Sequence, residues 1–470
     1  VFLMSFKYAA QKTGENIYTL PKLGSMKVDA VAFLSEGLYE ASEESLWKQI
    51  ADAASHEGVL GAYLMPDTHS GFGCPVGSVI VTDKTLIQAG SGYDISCGVL
   101  CLRVEGISAG SLKSRYAREF WVREVEKRVA TGVGSHRPTE MPSYTRDKVD
   151  EVLHFGAKAL GVVSDLCERQ YIPIPKDLDL HRIEKAYGKA LPQLGSLGGG
   201  NHFIEMQVGG DGSVWVMIHT GSRGYGWQTA DHFFYEGAKA RNLPKNRREE
   251  SWVLLEEEIG QEYWAYHNSA ANYAVANRYA IALSVQEALQ EVFGAFGEVY
   301  YDISHNLVQE ETLVLPDGST RKGYVHRKGA TRAFPAGHPD LVGTRWFDTG
   351  HPVLIPGSMY DGAAILFPSV GAYRSACSVN HGSGRLLARG AAKRKLEHKQ
   401  DRIDAEMHNV KRIFDGVGIE GIVSNHSHIP LDECREVYKD LEAVLEVLTQ
   451  EGVATVAHRL WPVVSIKGSD

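Results

Sequence analysis

Hydrophobic and polar positions follow two rhythms along this chain. Residues 37–56 (GLYEASEESLWKQIADAASH) carry apolar side chains at helical spacing with acids early, which predicts a helix. VGSVIVTD at 76–83 and VLCLRV at 99–104 are short β-branched runs and predict strands. Residues 112–131 and 146–170 return to helical spacing. FIEMQV (203–208) and VWVMIHT (214–220) predict two strands joined by the turn GGDGS. The alanine-rich stretch 251–294 predicts one or two helices, and EVYYDIS (298–304) a strand. TLVLPDGSTRKGYV (312–325) predicts a hairpin turning at Pro316-Asp317-Gly318. Residues 386–414 and 432–450 read as helices, and VATVAHRLWPVVSIK (453–467) as strand. No regular βαβ rhythm runs through these elements, so the expected class is α+β rather than a doubly wound sheet.

Composition narrows the function classes. At 470 residues, 43% hydrophobic and 23% charged, the chain has the make-up of a soluble globular protein. A net charge of −9 argues against a generally basic nucleic-acid coat, while leaving room for a local basic groove. No apolar stretch reaches the ~18 residues of a membrane span, and the start lacks the pattern of a secretory signal. Six scattered cysteines without a CxxC pair fit reduced thiols, so a cytoplasmic location is expected. The 49 glycines cluster beside polar residues, a pattern of tight loops converging on a site.

The chemistry-bearing residues stand in those loops. GYDISCGV (92–99) holds Asp94 and Cys97 in one glycine-bounded turn. His202 in GGGNHFIE, His219 in VMIHTGSRGYG, His305 in YYDISHN and His381 in NHGSGR stand at strand ends or in glycine loops. Hard oxygen, soft thiolate and borderline imidazole together suit a first-row divalent ion, and a thiolate can bridge two ions. Each histidine alone reads more simply as a hydrogen-bonded core residue; the group reads as a site. The glycines of 380–395 (NHGSGRLLARGAAKRK) could form an anion nest, with Arg385 as a guanidinium fork and His381 as an acceptor of a phosphoryl or nucleotidyl group; a plain turn before a basic helix is the alternative. RKGYVHRKGATR (321–332) offers Arg321, Lys322, His326, Arg327, Lys328 and Arg332 for RNA phosphates, although a solvated charge run is the commoner explanation. Asp67 and His69 of MPDTHSGFGCPVG could orient ligands or simply stabilise a turn, and Cys74 and Cys101 read as small buried residues. Known nucleotide signatures are missing: GSLGGG leads into a strand rather than a helix, and neither GxxxxGK[ST] nor KxDG occurs.

Taken in order, MPDTHSGFGCPVGSV, GYDISCGV, GGGNHFIE, HTGSRGYG, SHN, HRKGATRA, IPGSM, HGSGR, YKD and PVVSIKG resemble the RtcB family of GTP-dependent RNA ligases of tRNA splicing and RNA repair. The resemblance runs from about residue 60 to the C-terminus. It implies a single catalytic domain over 1–470, with a β-sandwich-like core flanked by helices and a deep metal and nucleotide cleft. It implies a pair of Mn(II) ions on Asp94, Cys97, His202, His219 and His305, with Cys97 shared. His381 matches the histidine that takes up GMP from GTP. Asn201, Glu205, Ser358, Gly382, Ser383, Gly384, Arg385, Tyr438 and Lys467 match nucleotide contacts. The implied partners are RNA ends, as tRNA halves or cleaved RNA, with no membrane; an archease-like activator and the oligomeric state are left open. Departures occur at Ser383, where alanine is common, in YDGAAILFPS after IPGSM, and in DECR where DEAP is common. They bear on substrate preference rather than on the metal ligands. The rival readings are a metal-dependent phosphodiesterase or cyclic-phosphate hydrolase, and a non-enzymatic RNA- or metal-binding protein.

Overall fold

The computed structural model describes residues 5–133, 136–162 and 172–468. Two large sheets form its frame. In spatial order the first holds Gln11–Gly14, Ile17–Leu20, Ala30–Phe33, Val59–His69, Val76–Thr82, Thr320–Lys328 and Asn306–Val314. The second runs Phe296–Ser304, Gly98–Glu105, Val214–Thr220, Phe203–Gly209, Ala454–Lys467, Ala363–Pro368 and Val353–Pro356, with Val423–Ser424 paired to Ala454–Lys467.

Phe203–Gly209 and Val214–Thr220 are buried at every position, which is why both read as near-continuous apolar runs. One face of their sheet packs on Arg115–Glu126 and the long helix Glu258–Phe293, through Leu100, Ile204, Val216, Ile218, Trp121 and Ile281. On the other face Val99, Trp215, Met217 and Ile303 meet Leu354, Ile365 and Leu460 of the same sheet, so the sheet curls on itself. A third cluster joins the sheets: Met65, Val79, Val81 and Val325 pack with Val353, Ile355, Ala364 and Leu366 under the helix Leu441–Gln450. This is the α+β, sandwich-like arrangement expected. No helix among the described residues is long and apolar enough to cross a membrane.

Several elements are shorter than their sequence patterns. The stretch 37–56 is broken into Glu36–Ala41 and Glu44–Ala53, because Ser42 and Glu43 take extended backbone angles. Of 146–170, Arg146–Phe155 is α-helical and Gly156–Leu160 continues as a 3-10 turn; 163–171, with Cys167, lie outside the described residues. Residues 386–414 resolve into Arg389–Leu396, Gln400–Asn409 and the strand Lys411–Phe414. In 432–450 the α-helix begins only at Leu441, after 3-10 turns at Leu431–Glu433 and Arg435–Val437, and Asp440 caps it by accepting from the Glu442 N–H. The stretch 251–294 gives one helix, Glu258–Phe293, preceded by the short strand Trp252–Leu254.

Candidate functional site

Adjacent strands of the second sheet deliver the candidate ligands to one end. Cys97 precedes Gly98–Glu105, His219 lies near the end of Val214–Thr220, and His202 precedes Phe203–Gly209. Register puts His219 opposite both Val99 and Phe203. His305 is the single residue between Ser304, which ends a strand of one sheet, and Asn306, which begins a strand of the other. The turn is stitched to that junction: the His305 N–H donates to the Cys97 carbonyl at 2.7 Å, and the Ser96 N–H to the Asn306 carbonyl at 2.6 Å.

Cys97 Sγ lies 3.4 Å from His202 Nε2 and 3.3 Å from His219 Nε2. His219 Nε2 faces His305 Nε2 at 3.2 Å, and His202 Nε2 faces Asp94 Oδ2 at 3.1 Å. Two potential metal-holding groups result, Cys97/His219/His305 and Asp94/Cys97/His202, and Cys97 belongs to both. These separations of 3.1–3.4 Å lie at or just below the edges of a tetrahedron, about 3.3–3.8 Å, around an ion bound at about 2.0–2.3 Å. Proton positions agree. His202 Nδ1–H donates to the Leu197 carbonyl at 2.9 Å, so in the neutral ring Nε2 presents a lone pair to a carboxylate oxygen. A cation between them would relieve that opposition. Among the described residues, the buried Nδ1 atoms of His219 and His305 have no hydrogen-bond partner.

Electrostatics point the same way. Burial, then neighbouring imidazoles, hold His219 and His305 well below the usual imidazole range, as neutral ligands require. Burial pushes the Asp94 carboxyl up, but His202, when it carries a proton on Nε2 as well, and Arg223 outweigh it and hold it at about 2; a cation between His202 and Asp94 would take that proton's place. Burial and the Asp94 charge push the Cys97 thiol up; a bound cation would reverse that and favour thiolate. Asp94 Oδ1 also accepts from the Ser222 N–H at 3.1 Å. Gly221 permits this approach, since a Cβ there would lie 2.4 Å from Asp94 Oδ1.

Behind the cluster sits a residue the sequence did not flag. Arg278, in the middle of Glu258–Phe293, is fully buried. It donates to Asp302 Oδ1 and Oδ2 at 2.5 and 3.2 Å, to the Ser96 and Thr220 carbonyls at 2.7 and 3.2 Å, and to Ser304 Oγ at 3.1 Å. Ser96, Thr220 and Ser304 neighbour Cys97, His219 and His305, so one guanidinium ties three ligand segments together.

His381 follows the short strand Ser378–Asn380 and stands beside the cluster, its ring centroid 4.8 Å from that of His305. Asp67 Oδ2 lies 2.7 Å from His381 Nδ1, so Nδ1 carries the proton and Nε2 is left with a lone pair. Asp67, read from the sequence as an orienter of ligands or a turn former, pairs with His381, and among the described residues its buried Oδ1 has no hydrogen-bond partner. Gly384, at φ +82°, lets the HGSGR loop lie on the Asp67 backbone, where a Cβ would come within 2.3 Å of the Asp67 carbonyl oxygen. His69 Nδ1 is 3.1 Å from that same carbonyl oxygen.

These residues share a cleft of about 410 Å³. His69, Asp94, Cys97, His219, His305 and His381 line it, as do Asn201, Ser358, Gly382, Ser383, Gly384, Arg385, Tyr438 and Lys467. His202 and Glu205 lie outside that lining, His202 behind Cys97 and Asp94, and the Glu205 carboxylate accepts from Gln207 and Ser465 at 2.9 and 3.1 Å. Burial pushes its carboxyl up. Arg385 is not a free fork: it donates to Glu433 at 3.0 Å, to Tyr438 Oη at 3.2 Å and to the Asp432 carbonyl at 2.5 Å. Glu433, unnoticed in the sequence although its DECR segment stood out, is a buried hub that also receives Tyr438 Oη and, at 3.2 Å, Lys467 Nζ.

The basic run 321–332 is mostly not a surface. Arg321 and Lys322 are exposed. His326 is buried between the Ile87 N–H and the Ile80 carbonyl, and burial lowers its pKa to about 3. Arg327 is buried against Glu311, and buried Arg332 donates to Tyr301 Oη at 3.2 Å. His326, Arg327 and Arg332 are therefore spent within the fold, because both faces of the strand end Val325–Lys328 are covered and each of these side chains meets a buried partner. Lys328 lines the cleft, donating to the Phe72 and Cys74 carbonyls at 2.5 and 2.9 Å, and burial lowers its pKa to about 8. Among the described residues Cys74, Cys97, Cys101, Cys377 and Cys434 are unpaired thiols, and Cys74 and Cys101 are buried as expected.

Comparison with known proteins agrees with this geometry. The family model "tRNA-splicing ligase RtcB" matches residues 49–468. The tRNA-splicing ligase RtcB of Thermococcus kodakarensis is 33% identical, over 96% of this chain and 97% of that protein. The RNA-splicing ligase RtcB of Mycobacterium tuberculosis is 34% identical over 89% of this chain and 100% of its own length. The tRNA-splicing ligase RtcB of Methanococcus maripaludis is 30% identical over 98% and 100%. With the motifs gathered in one cleft and the match spanning nearly the whole length, the chain belongs to the RtcB family.

Proposed function

We propose that this protein is a GTP-dependent RNA ligase, its chain acting as one catalytic unit, that joins an RNA 3′-phosphate end to a 5′-hydroxyl end in tRNA splicing or RNA repair. Where the end is a 2′,3′-cyclic phosphate, hydrolysis opens it first. The observation that carries the reading is the Asp67–His381 pair at the edge of the ligand cluster. With Nδ1–H held by the carboxylate, Nε2 is the nucleophilic nitrogen. It attacks the α-phosphorus of GTP; the P–N bond forms, the bond to the bridging oxygen breaks, and pyrophosphate leaves. An RNA 3′-phosphate oxygen then attacks the same phosphorus, breaking the P–N bond and giving an RNA-ppG end. A 5′-hydroxyl attacks the RNA phosphorus of that end, and GMP leaves.

A pair of Mn(II) ions held by Asp94, Cys97, His202, His219 and His305, with Cys97 shared, would supply Lewis-acid stabilisation of phosphoryl charge. Asn201, Ser358, Gly382, Ser383, Gly384, Tyr438 and Lys467 cradle the nucleotide from the cleft wall, while Glu205 and Arg385 hold that wall in place. The test is incubation with Mn(II) and GTP labelled at the α-phosphate. An acid-labile, base-stable label is expected on the wild-type chain and none on His381→Ala. Equal labelling of both would remove His381 from the role; no labelling of the wild type with any divalent metal would overturn the ligase reading.

A further inference from the structure

The cleft continues outward onto an aromatic shelf that none of the roles above uses. Trp227, on the helix Arg223–Ala240, is 46% exposed and stacks on Tyr93, with ring centroids 5.0 Å apart and planes 20° from parallel. Tyr93 lines the cleft and immediately precedes Asp94. Phe72 and Phe234 back it, at 5.2 and 5.0 Å between centroids. Along the helix, Trp227, Asp231 and Tyr235 recur every fourth residue and so share one face. Tyr235 is 40% exposed and has the Arg248 guanidinium 5.0 Å over its ring. Arg248 also donates to Tyr93 Oη at 3.3 Å, and among the described residues its buried Nε has no hydrogen-bond partner. Asp231 accepts from Tyr93 Oη at 3.4 Å.

We infer that this shelf binds the unpaired bases of the RNA strand whose end enters the cleft, with Trp227 as the principal stacking face. The inference rests on the RNA-ligase reading and adds to it where the strand runs. A strand placing its terminal phosphate at the Asp94/Cys97 cluster passes the residue beside Asp94, which is Tyr93. The indole is already held flat by its partner ring, so little freedom is lost when a base stacks on it. Aromatic faces beside an arginine are the combination that holds single strands without reading sequence. A docked protein helix would instead call for an aliphatic groove.

The experiment measures binding of a short fluorescent 3′-phosphate RNA to wild type, Trp227→Ala and Trp227→Phe. The same oligonucleotide without bases near its 3′ end is run beside it, as is GMP labelling without RNA. Trp227→Ala is expected to weaken binding by about 5- to 160-fold, the range of one base–aromatic stack. Trp227→Phe should retain most of the affinity, and the abasic RNA should bind wild type and Trp227→Ala alike. In sealing assays the Ala variant raises KM for RNA without changing kcat, and GMP labelling is unaltered. Wild-type affinity in Trp227→Ala would overturn the inference and leave the shelf to a protein partner. An equal loss for intact and abasic RNA would overturn it as an indirect structural effect. Trp227-dependent, base-dependent binding by a wild type that takes no GMP label would uphold the shelf and sink only the ligase reading.

Discussion

Replacing Arg278 should damage the candidate metal site and the fold together. Its guanidinium donates to the Asp302 carboxylate, to the Ser96 and Thr220 carbonyls and to Ser304 Oγ, and both it and Asp302 are essentially without solvent exposure. Arg278→Met leaves the Asp302 carboxylate buried without its guanidinium, a change that costs about 3–5 kcal/mol. The Ser96 and Thr220 carbonyls also lose a donor, at about 1–3 kcal/mol each if no water replaces it. Chemical denaturation should read a loss of about 3–5 kcal/mol or more. Arg278→Met/Asp302→Leu should recover part of it, because the uncompensated charge is gone. Metal affinity, followed through the visible absorption of Co(II), should fall by about 10- to 100-fold in both variants, the usual penalty for removing a group that orients ligands. The double variant therefore separates the two effects: stability returns in part, and metal affinity does not. A single variant with wild-type stability and Co(II) affinity would refute the reasoning.

Other predictions follow from neighbouring residues. Elemental analysis of the Mn(II)-loaded protein should give two ions per chain, falling below one in Cys97→Ala; an unchanged content would remove the shared thiolate. Asp67→Asn should slow GMP labelling of His381 by about 10²- to 10⁴-fold, as loss of a carboxylate that fixes a histidine tautomer does, while metal content stays the same. Equal labelling rates would leave Asp67 without that role. Lys328, lowered to about 8 against an ordinary value near 10.5, is less readily charged in the fold than in the unfolded chain. Its contribution to stability should therefore rise as pH climbs from about 8 to about 10.5, by up to about 3 kcal/mol. Denaturation midpoints of wild type and Lys328→Met at pH 7 and pH 10 measure it; a pH-independent difference would contradict the assignment.

The strands that carry the site were legible because their signal is local. VLCLRV, FIEMQV and VWVMIHT are short apolar runs bounded by polar turns, and each lies beside a candidate ligand. Helix ends were less legible: 432–450 keeps helical spacing before Leu441, yet its first residues are drawn into contacts around Glu433. Partnerships made at long range were not legible at all. Asp67 and His381 are 314 residues apart, and Arg278 reaches Ser96 across 182. No periodicity announces such pairs. The basic run 321–332 misled for a related reason, since composition counts charges without showing which point inward to a buried acid such as Glu311.

The ligase and hydrolase readings part most directly over the fate of one phosphate. An RNA with a radiolabelled 3′-phosphate, a second RNA with a 5′-hydroxyl, Mn(II) and GTP are incubated with the protein. The account predicts a joined product with the label in the junction, protected from phosphatase, and one GMP released per joint. Label released as inorganic phosphate, or left on an opened end with no joined product, would contradict it.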